Sequence, residues 1–101
     1  MYSISTSPSI ENTTIQKMVG SLKAIAHPVR LSMVSILKNG QKKNVTEIYE
    51  SLGLEQAVAS QHLSILKDKD VLSSERSGKN TFYFIKDERI VEVIDLVHSL
   101  H

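Results

Sequence analysis

The stretch from Gln56 to Lys67 reads QAVASQHLSILK, and four of its side chains suit the reading of nucleic-acid edges: Gln56, Ser60, Gln61 and Ser64. A Gln amide both donates and accepts, which matches the paired acceptor and donor that adenine shows in the major groove. A Ser hydroxyl bonds either a base or a phosphate. Ala57 is small enough for close approach to a thymine methyl, and Lys67 adds a cation for phosphate. On a helical wheel at about 100° per residue, Ile65, Val58, Leu66, Ala59 and Leu63 gather on one arc. Lys67, Ser60, Ser64, Ala57 and Gln61 lie opposite, with Gln56 at the boundary in the first turn. His62 falls inside the apolar arc, so it reads as a hydrogen-bonded packing histidine rather than a base reader.

Other chemistry is sparse. The chain has no Cys, which excludes thiolate metal sites, disulfides and cysteine nucleophiles. There is no Gly-rich phosphate loop and no nucleophile elbow. Asp68 and Asp70 flank Lys69, and they read as the solvated end of a helix rather than as paired catalytic carboxylates. An enzyme is not expected, nor is a cofactor. His98 and His101 have the His-x-x-His spacing, and two such pairs meeting across a dimer would make a four-nitrogen zinc site. The plainer reading is an exposed helix end with imidazoles near the negative end of the dipole, so no metal is assigned.

These residues need elements to hold them. Ile15, Met18, Val19, Leu22, Ile25 and Ala26 recur at three- and four-residue steps, which predicts a helix over about Thr13 to Ala26. His27-Pro28 breaks it, and Pro28 suits the first turn of a second helix that stops at Asn39-Gly40. Asn44 followed three residues later by Glu47 predicts a capped third helix, Val45 to Leu52, ended by Gly53. The fourth helix spans about Gln56 to Lys69. The period then changes: Val71 to Arg76 and Thr81 to Ile85 are strand-like, joined through the turn Ser77-Gly78-Lys79-Asn80. A last helix, about Glu88 to Leu100, carries Ile90, Val93, Ile94 and Val97, with Val91 and Leu96 widening its apolar face.

The expected fold is therefore mainly α with a β-hairpin wing (α+β), in the order α-α-α-α-β-β-α. Two short helices joined through Gly53 and followed at once by a hairpin with a basic tip form a winged helix-turn-helix. Its first helix braces the second, which enters the major groove. Arg76, Lys79 and Asn80 on the wing then reach a neighbouring backbone or minor groove. Thr46, Ser64 and Lys67 are assigned to phosphates, Gln56, Ala57, Ser60 and Gln61 to base edges, and Lys42 and Lys43 to flanking backbone.

The 101 residues, 41% apolar and 23% charged, suit one domain with one modest core. Residues 1–11, rich in Ser and Thr, read as a mobile arm, and residues 12–101 as a single DNA-binding and dimerisation domain. The net charge of +1 points to no partner, but its distribution is uneven. From Asn12 to Thr46 there are bases and no acid, while from Glu47 onward acids outnumber bases. That asymmetry fits an anion-facing edge. The near-neutral total and acidic second half fit a winged-helix module that binds protein instead of DNA, the second reading. Nothing resembles a secretory signal or a membrane span, so a cytoplasmic protein is expected.

The chain resembles the ArsR/SmtB family of bacterial winged-helix repressors from about Ser21 to the C-terminus. Three stretches carry the likeness. "LKAIAHPVRLSMVSIL" is similar to the family's Leu-x-x-Pro-x-Arg-Leu-x-Ile-Leu segment. "EQAVASQHLSIL" is similar to its Ser-Gln-x-x-x-Ser-x-His-Leu-x-x-Leu recognition helix. "ERSGKNTFYFI" is similar to its Arg-x-Gly-Lys wing. The resemblance implies a homodimer built mainly by the first and last helices, binding double-stranded DNA at an inverted-repeat operator, with repression relieved by an inducer. The broad apolar faces of those helices point the same way, and Ile15, Met18, Val19, Leu22, Ile90, Val93, Ile94 and Val97 are assigned to the dimer interface. The sequence also departs from the family. Asn44-Val45-Thr46 stands where its thiolate site has Cys-Val-Cys, which excludes soft-metal sensing there. Arg89 stands where a His of its last-helix metal site is needed, and His98 and His101 come two residues early. Ala57 replaces a Ser, and Glu55 precedes the recognition-helix Gln.

Overall fold

A computed structural model describes residues 11–101; the expected N-terminal arm lies almost wholly outside them. Helix α1 spans Asn12–Ile25, α2 Pro28–Ile36, α3 Val45–Leu52, α4 Gln56–Asp68 and α5 Arg89–His98. Strands β1 (Lys43–Asn44), β2 (Leu72–Ser77) and β3 (Asn80–Ile85) form one antiparallel sheet in the order β1-β3-β2. Glu11, assigned to the arm, is the N-cap of α1.

Each break has a local cause. Between α1 and α2, His27 is extended and its side chain accepts a hydrogen bond from Val29 N, with Pro28 in the first turn. Helix α2 ends at Ile36, earlier than the Asn39-Gly40 expected from sequence. Asn39 and Gly40 both take positive φ, and they turn the chain toward β1 rather than cap the helix directly. Asn44 then closes a capping box: its Oδ1 accepts from Glu47 N at 2.8 Å, and Glu47 Oε1 accepts from Asn44 N at 2.9 Å.

Gly53 sits in the left-handed region at φ 65°. No side chain crowds the position where a Cβ would stand, so conformation alone makes the demand. Gly53→Ala is expected to lower stability by about 1 kcal/mol, because an L residue pays that much to hold αL. Urea unfolding monitored by circular dichroism measures it. An unchanged midpoint would show that the turn relaxes out of αL.

The core is one cluster. Met33, Val34, Leu37, Ile48, Ala59, Leu63 and Leu66 are completely buried, with Ala24, Ile25, Val71, Leu72 and Ile85 closing it. Helices α2, α3 and α4 and the base of the hairpin thus share one apolar centre. Burying a Leu or Ile side chain contributes about 1.5–3 kcal/mol, so this cluster holds α4 by its inner face.

Strand β1 is the element the sequence does not announce. It pairs Lys43 with Tyr83 and Asn44 with Phe82 on the outer edge of β3. Two residues are too few to show the alternation by which strands are recognised. The wing pairs Leu72 opposite Ile85 through Ser77 opposite Asn80, so Ser77 and Asn80, expected in the turn, close the strands instead and β2 starts at Leu72 rather than Val71. Gly78, at φ 62°, supplies the positive φ that a two-residue hairpin turn needs at its first central position.

The terminal helices are different. Helix α5 has no buried residue; Ile90, Val91 and Ile94 lean on the core, while Val93, Leu96 and Val97 face outward. On α1, Met18, Val19 and Leu22 are exposed and only Ala24 and Ile25 are buried.

Candidate nucleic-acid interface

Helix α4 separates its two faces as the wheel predicts. Ala59, Leu63 and Leu66 are buried. Gln56, Ala57, Gln61, Ser64 and Lys67 are exposed, and Ser60 is half-buried at the margin. Val58, placed on the apolar arc by the wheel, is 37% exposed. The whole first turn, Gln56 to Val58, is exposed and reaches beyond the core, so a nominally inward residue faces solvent there. Its methyls widen the surface next to Ala57 available to a thymine methyl. Exposed Thr46 stands in the first turn of α3, and Lys43 is half-buried in β1.

At the wing, Arg76, Lys79 and Asn80 are exposed around the turn, and Arg76 Nε makes a long 3.5 Å contact to the Gly78 carbonyl. Lys42 is already engaged. Its Nζ lies 2.9 Å from Glu75 Oε1 and 4.9 Å from the centre of the Phe84 ring. Both members of this ion pair are half-exposed, so solvent screens it and it contributes little to stability. Glu75 nonetheless places an acid on the wing beside a cation assigned to the DNA backbone.

His62 lies on the inner side of α4 and is partly buried. Its Nδ1 accepts from Arg30 Nε at 3.1 Å, and its ring stands 4.8 Å from that of His27. Burial, with His27 and Arg30 alongside, holds its pKa below the ordinary histidine value. Arg30 is a residue sequence reasoning passed over: it is the second residue after Pro28 on α2, and it reaches across to position the middle of α4.

At the start of α5, Arg89 hydrogen-bonds both carboxylate oxygens of Asp87, and Asp87 also accepts from Arg89 N. These bonds hold the Asp87 carboxyl down at about 2. The position where a His would be needed for a last-helix metal site thus carries a guanidinium committed to the neighbouring acid. His98 and His101 are exposed and line one end of a groove of about 810 Å³ between α1, α2 and α5. Among the described residues, no group of three or more His, Asp or Glu is placed to hold a metal ion.

A braced helix whose outer face is polar, followed by a hairpin with a basic tip, defines a winged helix-turn-helix DNA-binding protein. The comparisons agree with this class. The model of the "bacterial regulatory protein, arsR family" matches residues 27–74. The transcriptional repressor PagR of Bacillus anthracis is 34% identical over 91 residues, which cover 90% of this chain and 91% of that one. The transcriptional regulator NmtR of Mycobacterium tuberculosis is 28% identical over 97 residues, 94% of this chain and 80% of that one. The crystal structure of PagR superposes with a TM-score of 0.77 over 86% of this chain and 99% of its own. HlyU of Vibrio vulnificus, 32% identical, gives 0.73 over 88% and 92%. The chain belongs to the arsR family of bacterial regulatory proteins. It is a DNA-binding transcriptional regulator and not an enzyme, which decides against a module that binds only protein. Among the described residues no helix is long and apolar enough to cross a membrane.

Proposed function

We propose that two copies of this chain pair through α1 and α5, and that the dimer represses transcription by seating two α4 helices on an inverted-repeat operator. Residues 12–101 act as one DNA-binding and dimerisation domain. The observation that carries the reading is the outer face of α4: Gln56, Ala57, Gln61 and Ser64 are exposed, while Ala59, Leu63 and Leu66 behind them are buried. Gln56, Ala57, Ser60 and Gln61 read base edges in the major groove. Thr46, Ser64 and Lys67 bind phosphates, and Arg76, Lys79 and Asn80 carry the wing onto the flanking backbone. Lys42 and Lys43 extend that contact. Repression ends when an inducing signal shifts the dimer, and the work is done in the cytoplasm.

Pairing is supported by the exposed apolar side chains Met18, Val19, Leu22, Val93 and Val97. They lie on two helices that flank one groove, so a second copy covers them together. Ile15, Ile90 and Ile94 are half-buried and contribute only their outer edges.

Selection of bound duplexes from a random pool, followed by fluorescence anisotropy against salt, tests the reading. Tight binding to one inverted repeat, falling steeply with salt, is expected. Lys79→Ala is expected to weaken all sequences alike and to reduce the salt slope by about one. Failure to enrich any duplex, or binding insensitive to salt, would overturn the assignment.

A further inference from the structure

The side chains that tie α4 to α2 form a basic cluster without an acid. Arg30 Nε donates to His62 Nδ1 at 3.1 Å, and Arg30 Nη1 makes a longer contact of 3.5 Å to the Ala24 carbonyl at the end of α1. The His27 ring lies 4.8 Å from the His62 ring, tilted by 52°. His27 Nδ1 in turn accepts from Val29 N at 3.1 Å and caps α2. Both imidazoles therefore offer a lone pair at Nδ1 to a donor. A ring has that lone pair only when neutral with its proton at Nε2; an imidazolium donates from both nitrogens.

We propose that His27, Arg30 and His62 form a proton-sensitive tie that fixes the DNA-reading helix, so that acidification loosens α4 and weakens DNA binding. Protonating His62 replaces an accepted hydrogen bond by two facing donors, and sets its charge against the Arg30 guanidinium. His27 caps α2, on which Arg30 stands, and its ring lies beside that of His62. The proposal rests on reading α4 as the recognition helix.

Among the described residues, no acid acts on His62. The charges acting on His62 are those of His27 and Arg30. On α1, Lys23 lines the adjoining groove with Arg30, and Lys69 closes it from the end of α4. The acids of α3, Glu47 and Glu50, are exposed, and Glu47 is turned to Asn44. Glu75 of β2 is turned to Lys42. The sign follows from the lowered His62 pKa: above the ordinary histidine value of 6.5 the ring is neutral whether folded or not, and nothing is lost. Below it the unfolded chain takes up the proton more readily, so the folded arrangement weakens until its own, lower pKa is passed.

His27→Asn with His62→Gln is the informative variant. Asn caps a helix without titrating, and a Gln carbonyl accepts from Arg30 without titrating. Affinity for a selected duplex is measured at fixed ionic strength from about pH 8 to about pH 5.5, a range that spans histidine titration. The wild type is expected to lose affinity several-fold more than the double variant across this range. Parallel profiles for the two proteins would overturn the tie. NMR titration of the free wild-type protein decides the matter without DNA. The His62 ring should titrate below the ordinary histidine value, and α4 amide shifts should follow it. A His62 midpoint at or above 6.5, or α4 shifts that ignore it, would sink the proposal. If the titration behaves as expected but no duplex binds at any pH, the tie stands, and the reading of α4 as a recognition helix is what fails.

Discussion

Val97→Asp is expected to turn the dimer into a monomer and to weaken operator binding by about 10²–10⁴-fold, the advantage that linking two modest contacts confers. Val97 is 54% exposed and α5 buries no residue within its own chain, so the monomer loses no core contact. In a two-fold pair each substitution is felt twice, and a carboxylate taken into an apolar contact leaves an unpaired buried charge. Leu22→Asp, on α1 across the same groove, should do the same. Sedimentation velocity reads the association state, anisotropy the affinity, and circular dichroism checks that the fold persists. A wild type that sediments as a monomer at the concentrations where it binds DNA would refute the assembly. So would a Val97→Asp protein that remains dimeric.

The second large effect belongs to the other side of α4. Leu63→Ala is expected to cost about 2–5 kcal/mol, the range for truncating a fully buried Leu. Leu63 is completely buried with Met33, Leu37, Ile48 and Leu66. A small domain has about 5–15 kcal/mol in total, so this one change consumes a large share and frees the helix that the core holds in place. Gln61→Ala, two residues earlier on the exposed face, is expected to leave the unfolding midpoint nearly unchanged. It should instead relax discrimination at one base step by about 1–3 kcal/mol. Urea unfolding together with binding to single-base operator variants separates the two. If Gln61→Ala unfolded as readily as Leu63→Ala, or discriminated bases like the wild type, the division of α4 into a held face and a reading face would be wrong.

Much of this was legible in the residues because the relevant signals are local. Asn44 and Glu47 lie three apart in sequence, and their reciprocal hydrogen bonds close within one turn. Gly53 needs no distant partner to take its positive φ. The apolar period of α4 separates Leu63 from Gln61 before any packing is known, and the Gly78-Lys79 turn sets the register of the wing.

What the sequence by itself determined is the order of elements, the two faces of α4 and the placing of His62 among its packing residues. Each follows from spacing along one helix or one turn, where neighbours in sequence are neighbours in space. Only the tertiary structure decided who meets whom across elements. It gave His62 its partner Arg30, 32 residues away, and turned Lys42 to Glu75, 33 residues away. It added β1 to the edge of β3, and it left the methyls of Val58 in solvent because the first turn of α4 reaches past the core. Contacts between residues so far apart depend on how whole helices pack on one apolar centre, and no period within a single segment encodes that geometry.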